Sequence, residues 1–140
     1  MFVECGSGDD EVWTGSGPDT VYGSSGHDDI RTRSGNDWID GERGDDYIDS
    51  DWDRDTVFGH DGADTVWAGD GNDSVEGGDG ADSLRGEDGN DTVKGNANDD
   101  TIYGGIGNDS LDGGWGGDFI RGDAGDDTAS GGLGNDDVLE

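Results

Sequence analysis

The chain has 140 residues, of which 26% are hydrophobic, and a formal net charge of −30. This length corresponds to one ordinary domain, but the low apolar content excludes a globular core of normal thickness. The charge argues against nucleic acid as a partner and leaves cations or basic surfaces as natural ligands. No apolar run has the length of a membrane span or a signal-peptide core.

A nine-residue pattern runs through the chain without insertions and is clear in the segment from Gly104 to Asp112, G-G-I-G-N-D-S-L-D. With Gly104 as position one, position eight is apolar in every unit and position four is Gly in all but two. Such a phase argues against disorder, which the composition alone would favour. Position six is Asp in fifteen consecutive units: Asp10, Asp19, Asp28, Asp37, Asp46, Asp55, Asp64, Asp73, Asp82, Asp91, Asp100, Asp109, Asp118, Asp127 and Asp136.

The register begins with Val3 at position eight and continues to Glu140, so we expect residues 1–140 to form a single domain. In the first half, position one alternates between Gly and other residues: Thr14, Thr32, Ser50 and Ala68. From Gly77 onward, most units read close to G-G-x-G-N-D-[ST]-[VIL]-x. The alternation shows an eighteen-residue period in addition to the nine-residue period. It predicts that each unit stacks on its second neighbour along the chain.

Within a unit, the three residues around position eight alternate outward, inward and outward, which is the period of a strand. The six residues before each strand are rich in Gly, Asn and Asp and predict a turn. We therefore predict an all-β fold, a right-handed parallel β-roll (a β-solenoid) with two nonapeptides per turn. Two small sheets would face each other across one apolar layer that runs from Val12 to Val138.

The aspartates at position six would lie in two columns, with Asp91 between Asp73 and Asp109. Like charges about 4.8 Å apart repel by roughly 3.5 kcal/mol at an effective dielectric constant of 20. The columns therefore oppose folding unless a cation lies in each gap between rungs. Calcium suits such gaps because it accepts many oxygen ligands with tolerant geometry, whereas magnesium is stricter and no His or Cys cluster exists for zinc. Columns of eight and seven aspartates leave thirteen gaps, so we expect calcium between the turn loops, up to about 13 ions.

These units resemble the RTX repeat, G-G-x-G-x-D-x-U-x, of hemolysin-type calcium-binding proteins, over essentially the whole chain. The resemblance implies a calcium-loaded parallel β-roll in which each ion lies between two successive loops on one side. One loop gives its Asp and the carbonyls of positions two and four, and the next gives its Asp and the carbonyls of positions one and three. Between Asp91 and Asp109 the implied ligands are Glu87, Gly89, Asp91, Gly104, Ile106 and Asp109.

Carried along the later units, the resemblance implies further metal ligands. They are Gly69, Gly71, Gly77, Asp79, Gly80, Gly86, Asp88, Gly95, Gly107, Gly113, Trp115, Gly116, Gly122, Ala124, Gly125, Gly131, Leu133 and Gly134. Some earlier loops depart from the pattern, because Thr14, Thr32 and Arg33 replace glycines and Asp53 must take a backbone conformation usual for Gly. We expect weak or missing ions in the first loops and beside Asp55.

The function that follows is a calcium-binding module, disordered without calcium and folded by it. The resemblance implies a secreted, extracellular protein. The chain shows no signal peptide, so we expect either export by another route or a larger parent protein. No Ser, His and Asp arrangement suggests catalysis, and family enzymes keep catalysis in a separate domain, so we expect no enzyme. A calcium-dependent enzyme is the weakest alternative.

Adhesion or ligand binding through an exposed aromatic and arginine face is the main alternative function. One column of position nine carries this face: Trp13, Arg31, Asp49, Trp67, Arg85, Tyr103 and Arg121. Arg85 would lie between Trp67 and Tyr103, where cation–π contacts are favourable, and the column could equally be a ladder that stiffens the sheet. The open ends of the roll favour end-to-end self-association.

Overall fold

The computed structural model describes residues 1–139, which contain only β-strands, turns and loops, and the last residue of the predicted domain, Glu140, lies outside them. The first sheet contains β1 (Phe2–Ser7), β3 (Thr20–Ser25), β5 (Trp38–Arg43), β7 (Thr56–Asp61), β9 (Ser74–Asp79), β11 (Thr92–Ala97), β13 (Ser110–Gly116), β15 (Thr128–Ser130) and β16 (Leu133–Gly134). The second sheet contains β2 (Glu11–Trp13), β4 (Asp29–Arg31), β6 (Tyr47–Asp49), β8 (Thr65–Asp70), β10 (Ser83–Asp88), β12 (Thr101–Ile106), β14 (Phe119–Ala124) and β17 (Asp137–Leu139). The predicted all-β parallel solenoid is confirmed.

Each strand pairs in parallel with the strand two units further along the chain. Paired residues are eighteen apart, as in Val93 with Leu111 and Leu84 with Ile102. Consecutive units therefore alternate between the two sheets, and two units make one turn of the solenoid. Among residues 1–139 there is no helix that is long and apolar enough to cross a bilayer.

Most strands are longer than the predicted three residues. In eleven of them the strand continues through positions one and two to position three, as in Ser74–Asp79, so the turn proper is only positions four to six. The ladder continues because positions one to three of successive turns still pair, even where position two has a positive φ. Strands of the predicted length occur before Thr14, Thr32 and Ser50.

The core is a single apolar layer between the sheets. Position eight is buried from Val12 to Ile120, and most of these side chains are fully inaccessible. Val3 and Ala129 are partly buried, and Val138 is 36% exposed because its strand lies at the edge of its sheet. Because this core is only one layer thick, we expect interactions in the loops to provide much of the stability of the fold.

Candidate metal centres

The aspartates of position six form two columns along the roll. The long column contains Asp10 and every eighteenth residue to Asp136, and the short column runs likewise from Asp19 to Asp127. Twelve of the fifteen aspartates are at most 5% exposed, and the other three lie at the ends of the columns. A buried carboxylate is unfavourable unless a cation or hydrogen-bond donors compensate its charge.

In every rung after the first of each column, one carboxylate oxygen accepts a hydrogen bond from the backbone of the preceding rung. The N–H of Asp91 donates to Oδ1 of Asp109 at 2.9 Å. The same hydrogen bond, 2.7 to 3.1 Å long, closes all thirteen gaps between successive aspartates of a column. Sequence reasoning missed this ladder, although the eighteen-residue spacing of Asp was its signal. The ladder fixes the orientation of each accepting carboxylate and therefore also the position of its second oxygen, Oδ2.

That second oxygen, Oδ2, is buried and without a hydrogen-bond partner in residues 1–139 for every position-six Asp from Asp10 to Asp118. These are thirteen oxygens, one for the lower aspartate of each gap. Buried polar groups in proteins are almost always paired, and an unpaired one calls for an explanation such as a bound ion. The orphaned oxygens therefore mark the gaps as candidate cation sites.

Gly86 shows what each unpaired oxygen faces. A side chain on Gly86 would point directly at Oδ2 of Asp91 and at the carbonyl oxygen of Gly104, the latter 2.6 Å from the position of its Cβ. These two oxygens come from successive loops and share one small space that only a glycine leaves open. The same pairing of Oδ2 with the next position-one carbonyl occurs around Gly23, Gly41, Gly59, Gly77, Gly95 and Gly104.

Carbonyl oxygens of both loops border the same gap. From the lower loop, the carbonyls of Glu87 and Gly89 point at the next loop, into the space that a Cβ on Gly105 or Gly107 would occupy. From the upper loop, the carbonyl of Ile106 accepts the N–H of Gly89 at 2.8 Å. With Asp91, Gly104 and Asp109, all six residues predicted for this site therefore lie around one gap.

The other predicted ligands lie at equivalent positions. Position-one carbonyls of Gly77, Gly95, Gly113 and Gly122 face the Oδ2 of the rung below. Position-three carbonyls of Asp79, Asp88 and Ala124 accept N–H groups from the preceding loop. Position-four carbonyls of Gly71, Gly107 and Gly116 point at the next loop. Strand register places Trp115 beside Leu133, and Gly69, Gly80, Gly86 and Gly131 occupy the same loop positions. Gly125 and Gly134 belong to the last loop of each column, and no described rung follows them.

The electrostatics of the columns also favour a cation. Burial raises the pKa of Asp91 to about 7 and that of Asp64 to about 7, and the aspartates above and below each of them add to the rise. Burial raises the pKa of Asp55 further, to about 8. Carboxylates with such pKa values retain protons near neutral pH unless a positive charge stabilises their ionised form.

Side chains at position five form a second ladder of hydrogen bonds, next to the columns of position-six aspartates. The side-chain oxygen of Asn90 accepts the backbone N–H of Asn108 at 2.7 Å, and Asn72 and Asn108 do the same for the residues eighteen positions later. Sequence reasoning gave Asn no role here, although its recurrence in G-N-D was visible. The ladder ties successive loops together on the solvent side of the gaps.

The family model of the RTX calcium-binding nonapeptide repeat, which describes four copies, matches residues 6–38, 22–57, 51–84, 76–111, 85–120 and 112–139. The chain belongs to the RTX calcium-binding repeat family. Curated proteins contain no match to the chain. RTX repeats bind calcium, so this chain is a calcium-binding repeat module, and its β-solenoid is a structural fold.

The residues of this RTX chain fit calcium. Calcium takes about six to eight oxygen ligands, carboxylate and carbonyl, in flexible geometry. No group of three or more His, Cys, Asp or Glu side chains within residues 1–139 is placed to hold a metal by itself. In the Asp91–Asp109 gap, four of the six predicted oxygens are backbone carbonyls, so the predicted ligand set does not depend on a cluster of side chains.

Proposed function

We propose that the chain is a calcium-dependent folding module, disordered without the ion and folded when ions occupy the gaps of its two columns. The thirteen buried and unpaired Asp oxygens carry this proposal. Without a cation they are costly and mutually repulsive, and with one they become ligands. Binding free energy is then folding free energy.

The proposed ligands are the aspartates and carbonyls that border each gap, so that Asp91 and Asp109 would share one ion with four carbonyls. Doubly charged ions in these gaps would offset much of the formal charge of −30. Extracellular calcium modules work at roughly 10⁻⁴ to 10⁻³ M. We therefore place the chain outside the cell, as a stabilising module of a larger protein that stays extended before export and becomes rigid afterwards.

A calcium titration of the chelated chain tests this proposal. Circular dichroism is expected to change from a disordered to a β spectrum in one cooperative transition, with a large decrease in hydrodynamic radius and no such change with magnesium. Sedimentation at several concentrations would report end-to-end association through the open sheet edges. A compact β structure after exhaustive chelation at low salt, or disorder in millimolar calcium, would refute the proposal.

A second candidate function is the binding of an organic cation on the outer face of the first sheet. Phe2, Tyr22, Trp38 and Phe58 form a continuous aromatic strip there, with neighbouring ring centroids 5.8, 4.9 and 5.7 Å apart. Glu4 and Glu42 join Phe2 and Tyr22 in lining a shallow cleft of about 290 Å³. Aromatic faces beside carboxylates suit a quaternary ammonium or a methylated lysine.

On the outer face of the second sheet, arginine side chains already cover the aromatic rings. Arg31 lies 5.0 Å from the ring centroid of Trp13, and Arg85 lies 5.7 Å from that of Trp67 and 4.9 Å from that of Tyr103, as predicted. On the aromatic strip, no Arg or Lys among residues 1–139 covers a ring in this way. An external cation would therefore bind the strip and not the second sheet.

Calorimetric titration of the calcium-loaded chain with choline tests the second candidate. Trp38→Ala is expected to abolish choline binding, and Trp67→Ala, on the other sheet, is expected to leave it unchanged. The neutral isostere 3,3-dimethylbutanol should bind more weakly than choline, because it lacks the charge that the rings and carboxylates attract. Equal binding of both compounds, or equal loss in both variants, would contradict it.

A further inference from the structure

Position one decides whether a gap has room for an ion. As Gly86 shows, the Cβ of this residue would lie between the unpaired Asp oxygen of its own loop and the position-one carbonyl of the next. A side chain at position one therefore enters the space that the two oxygens would share with a cation. In the lower loop of eight gaps, position one is Gly, and in the other five it is Cys5, Thr14, Thr32, Ser50 or Ala68.

Four of these five side chains fill consecutive gaps of the short column. Thr14, Thr32, Ser50 and Ala68 belong to the loops of Asp19, Asp37, Asp55 and Asp73. Thr14 is 6% exposed, and the other three are completely buried. The short column is therefore occupied by protein atoms from Asp19 to Asp91, whereas the long column is open from Asp28 onward.

The hydroxyls make contacts that an ion would otherwise supply. Oγ1 of Thr14 donates to the carbonyl of Thr32 at 3.0 Å, and Oγ of Ser50 donates to the carbonyl of Ala68 at 2.9 Å. Each acceptor is the position-one carbonyl of the next loop, the oxygen that faces Oδ2 in the glycine gaps. A buried hydroxyl can thus satisfy an inward carbonyl without a metal.

The backbone differs in the same place. The strands before Thr14, Thr32 and Ser50 stop after three residues, at position nine. Their loops rejoin the ladder only through isolated bridges at position three, which link Ser16, Ser34, Trp52 and Asp70. The loops that carry a position-one hydroxyl thus follow a different path from the glycine loops between Gly23 and Gly122.

We propose that calcium occupies only the eight glycine gaps and that position-one side chains fill the other five, with the hydroxyls of Thr14 and Ser50 also bonding the carbonyl of the next loop. This inference rests on the proposed calcium function and specifies where the ions lie. The long column would be loaded from Asp28 to Asp136, and the short column only from Asp91 to Asp127. The resulting roll has one calcium-rich side and one side whose first half is joined by hydroxyls.

Counting bound calcium by equilibrium dialysis and mass spectrometry tests the inference. The natural chain should bind no more than eight ions, and the triple variant Thr14→Gly, Thr32→Gly, Ser50→Gly should bind up to three more. The matched control is Thr20→Gly, Thr56→Gly, Ser74→Gly, which makes the same exchanges at position seven of the first sheet and should not change the count. Conversely, Gly86→Ser should remove one ion from the natural count.

The outcomes separate the two proposals. A natural chain that binds no calcium and never folds with it refutes the proposed function. A natural chain that folds with calcium but binds more than eight ions overturns only the inference. If the triple variant does not fold, Gly86→Ser decides, because an unchanged ion count in that folded variant would equally overturn the inference.

Discussion

The first half and the second half of the short column carry the same aspartates but differ in what surrounds them. From Asp19 to Asp73, position one supplies a buried side chain, and two of its hydroxyls bond the next loop. The Oδ2 atoms have no hydrogen-bond partner in either half, but from Asp91 to Asp109 position one is Gly, and this oxygen faces a carbonyl across an open gap. Under the proposal above, the Asp repeat alone does not define an ion site, because the site also needs a residue without a side chain at position one.

Substitution of one aspartate in each half should separate the halves most clearly. Asp91→Asn removes a carboxylate that borders an open glycine gap and is expected to destabilise the calcium-loaded roll by about 3 to 5 kcal/mol, the usual cost of breaking a buried charge pair. Denaturant unfolding in saturating calcium measures this change, and ion counting should show at least one ion fewer.

Asp55→Asn is the matched control, since its gaps on both sides are filled by Thr32 and Ser50. Burial raises the pKa of Asp55 to about 8, so its neutral form is already favoured and an amide should be tolerated. We expect an unchanged ion count. Equal ion loss in both variants would show that the two halves do not differ in calcium binding.

The stability of the roll should depend on pH with opposite signs in the chelated and in the calcium-loaded protein. In the folded chain, burial raises the pKa of Asp82 to about 6 and that of Asp55 to about 8, above the reference value of 3.8. The calcium-free roll is therefore favoured fully below about pH 4, and this contribution is lost as pH rises through 6 to 8.

Circular dichroism of the chelated chain between pH 8 and pH 4 measures this effect, and β structure is expected to increase as the pH falls. The loaded chain should instead release calcium on acidification, because protons compete for the same carboxylates. No gain of β structure in chelator at pH 4 would show that burial of the columns does not oppose folding.

Much of this arrangement is encoded in the nine-residue period. The period alone places Val93 over Leu111 and Asp91 over Asp109, because every unit has the same length and any strand stacks on its second neighbour. Thr14 and Ser50 were recognised as departures, but their effect was not predicted. The direction of their side chains depends on the loop path, which a repeat pattern does not specify.

The aromatic strip was missed for a related reason. Its contacts join positions seven and nine of successive turns in alternating order, so Phe2 at position seven meets Tyr22 at position nine, and Tyr22 meets Trp38 at position seven. These pairs are twenty and sixteen residues apart, so the eighteen-residue period does not bring either pair together. Only the outer face of the second sheet could be predicted from the sequence, because Trp67, Arg85 and Tyr103 share one position of the repeat.

Arg85→Ala tests whether the outer faces are independent of the two kinds of loop. Arg85 contacts the rings of Trp67 and Tyr103, and two exposed cation–π contacts are worth about 1 to 2 kcal/mol together. We expect this loss of stability in calcium with no change in ion count. Lys94→Ala on the first sheet, which removes an exposed pair with Glu76, should cost about 0.5 kcal/mol or less. An altered ion count in Arg85→Ala would show that the faces and gaps are coupled.

A comparably small effect is expected from Asp53→Gly, which changes the backbone in the hydroxyl half without touching position one. Asp53 has a φ of 80°, a conformation that costs a non-glycine residue roughly 1 to 2 kcal/mol. Glycine relieves that strain but loses about 0.5 to 1 kcal/mol of chain entropy, so a net gain near 0.5 kcal/mol is expected in denaturant unfolding.

The ion count of Asp53→Gly should remain that of the natural chain, because Ser50 still fills the gap between Asp55 and Asp73. Adding Ser50→Gly should then raise the count by one. If Asp53→Gly alone adds an ion, the backbone at position four closes this gap and the hydroxyl of Ser50 does not. The two substitutions thus separate an effect of loop conformation from an effect of side-chain volume at a single gap.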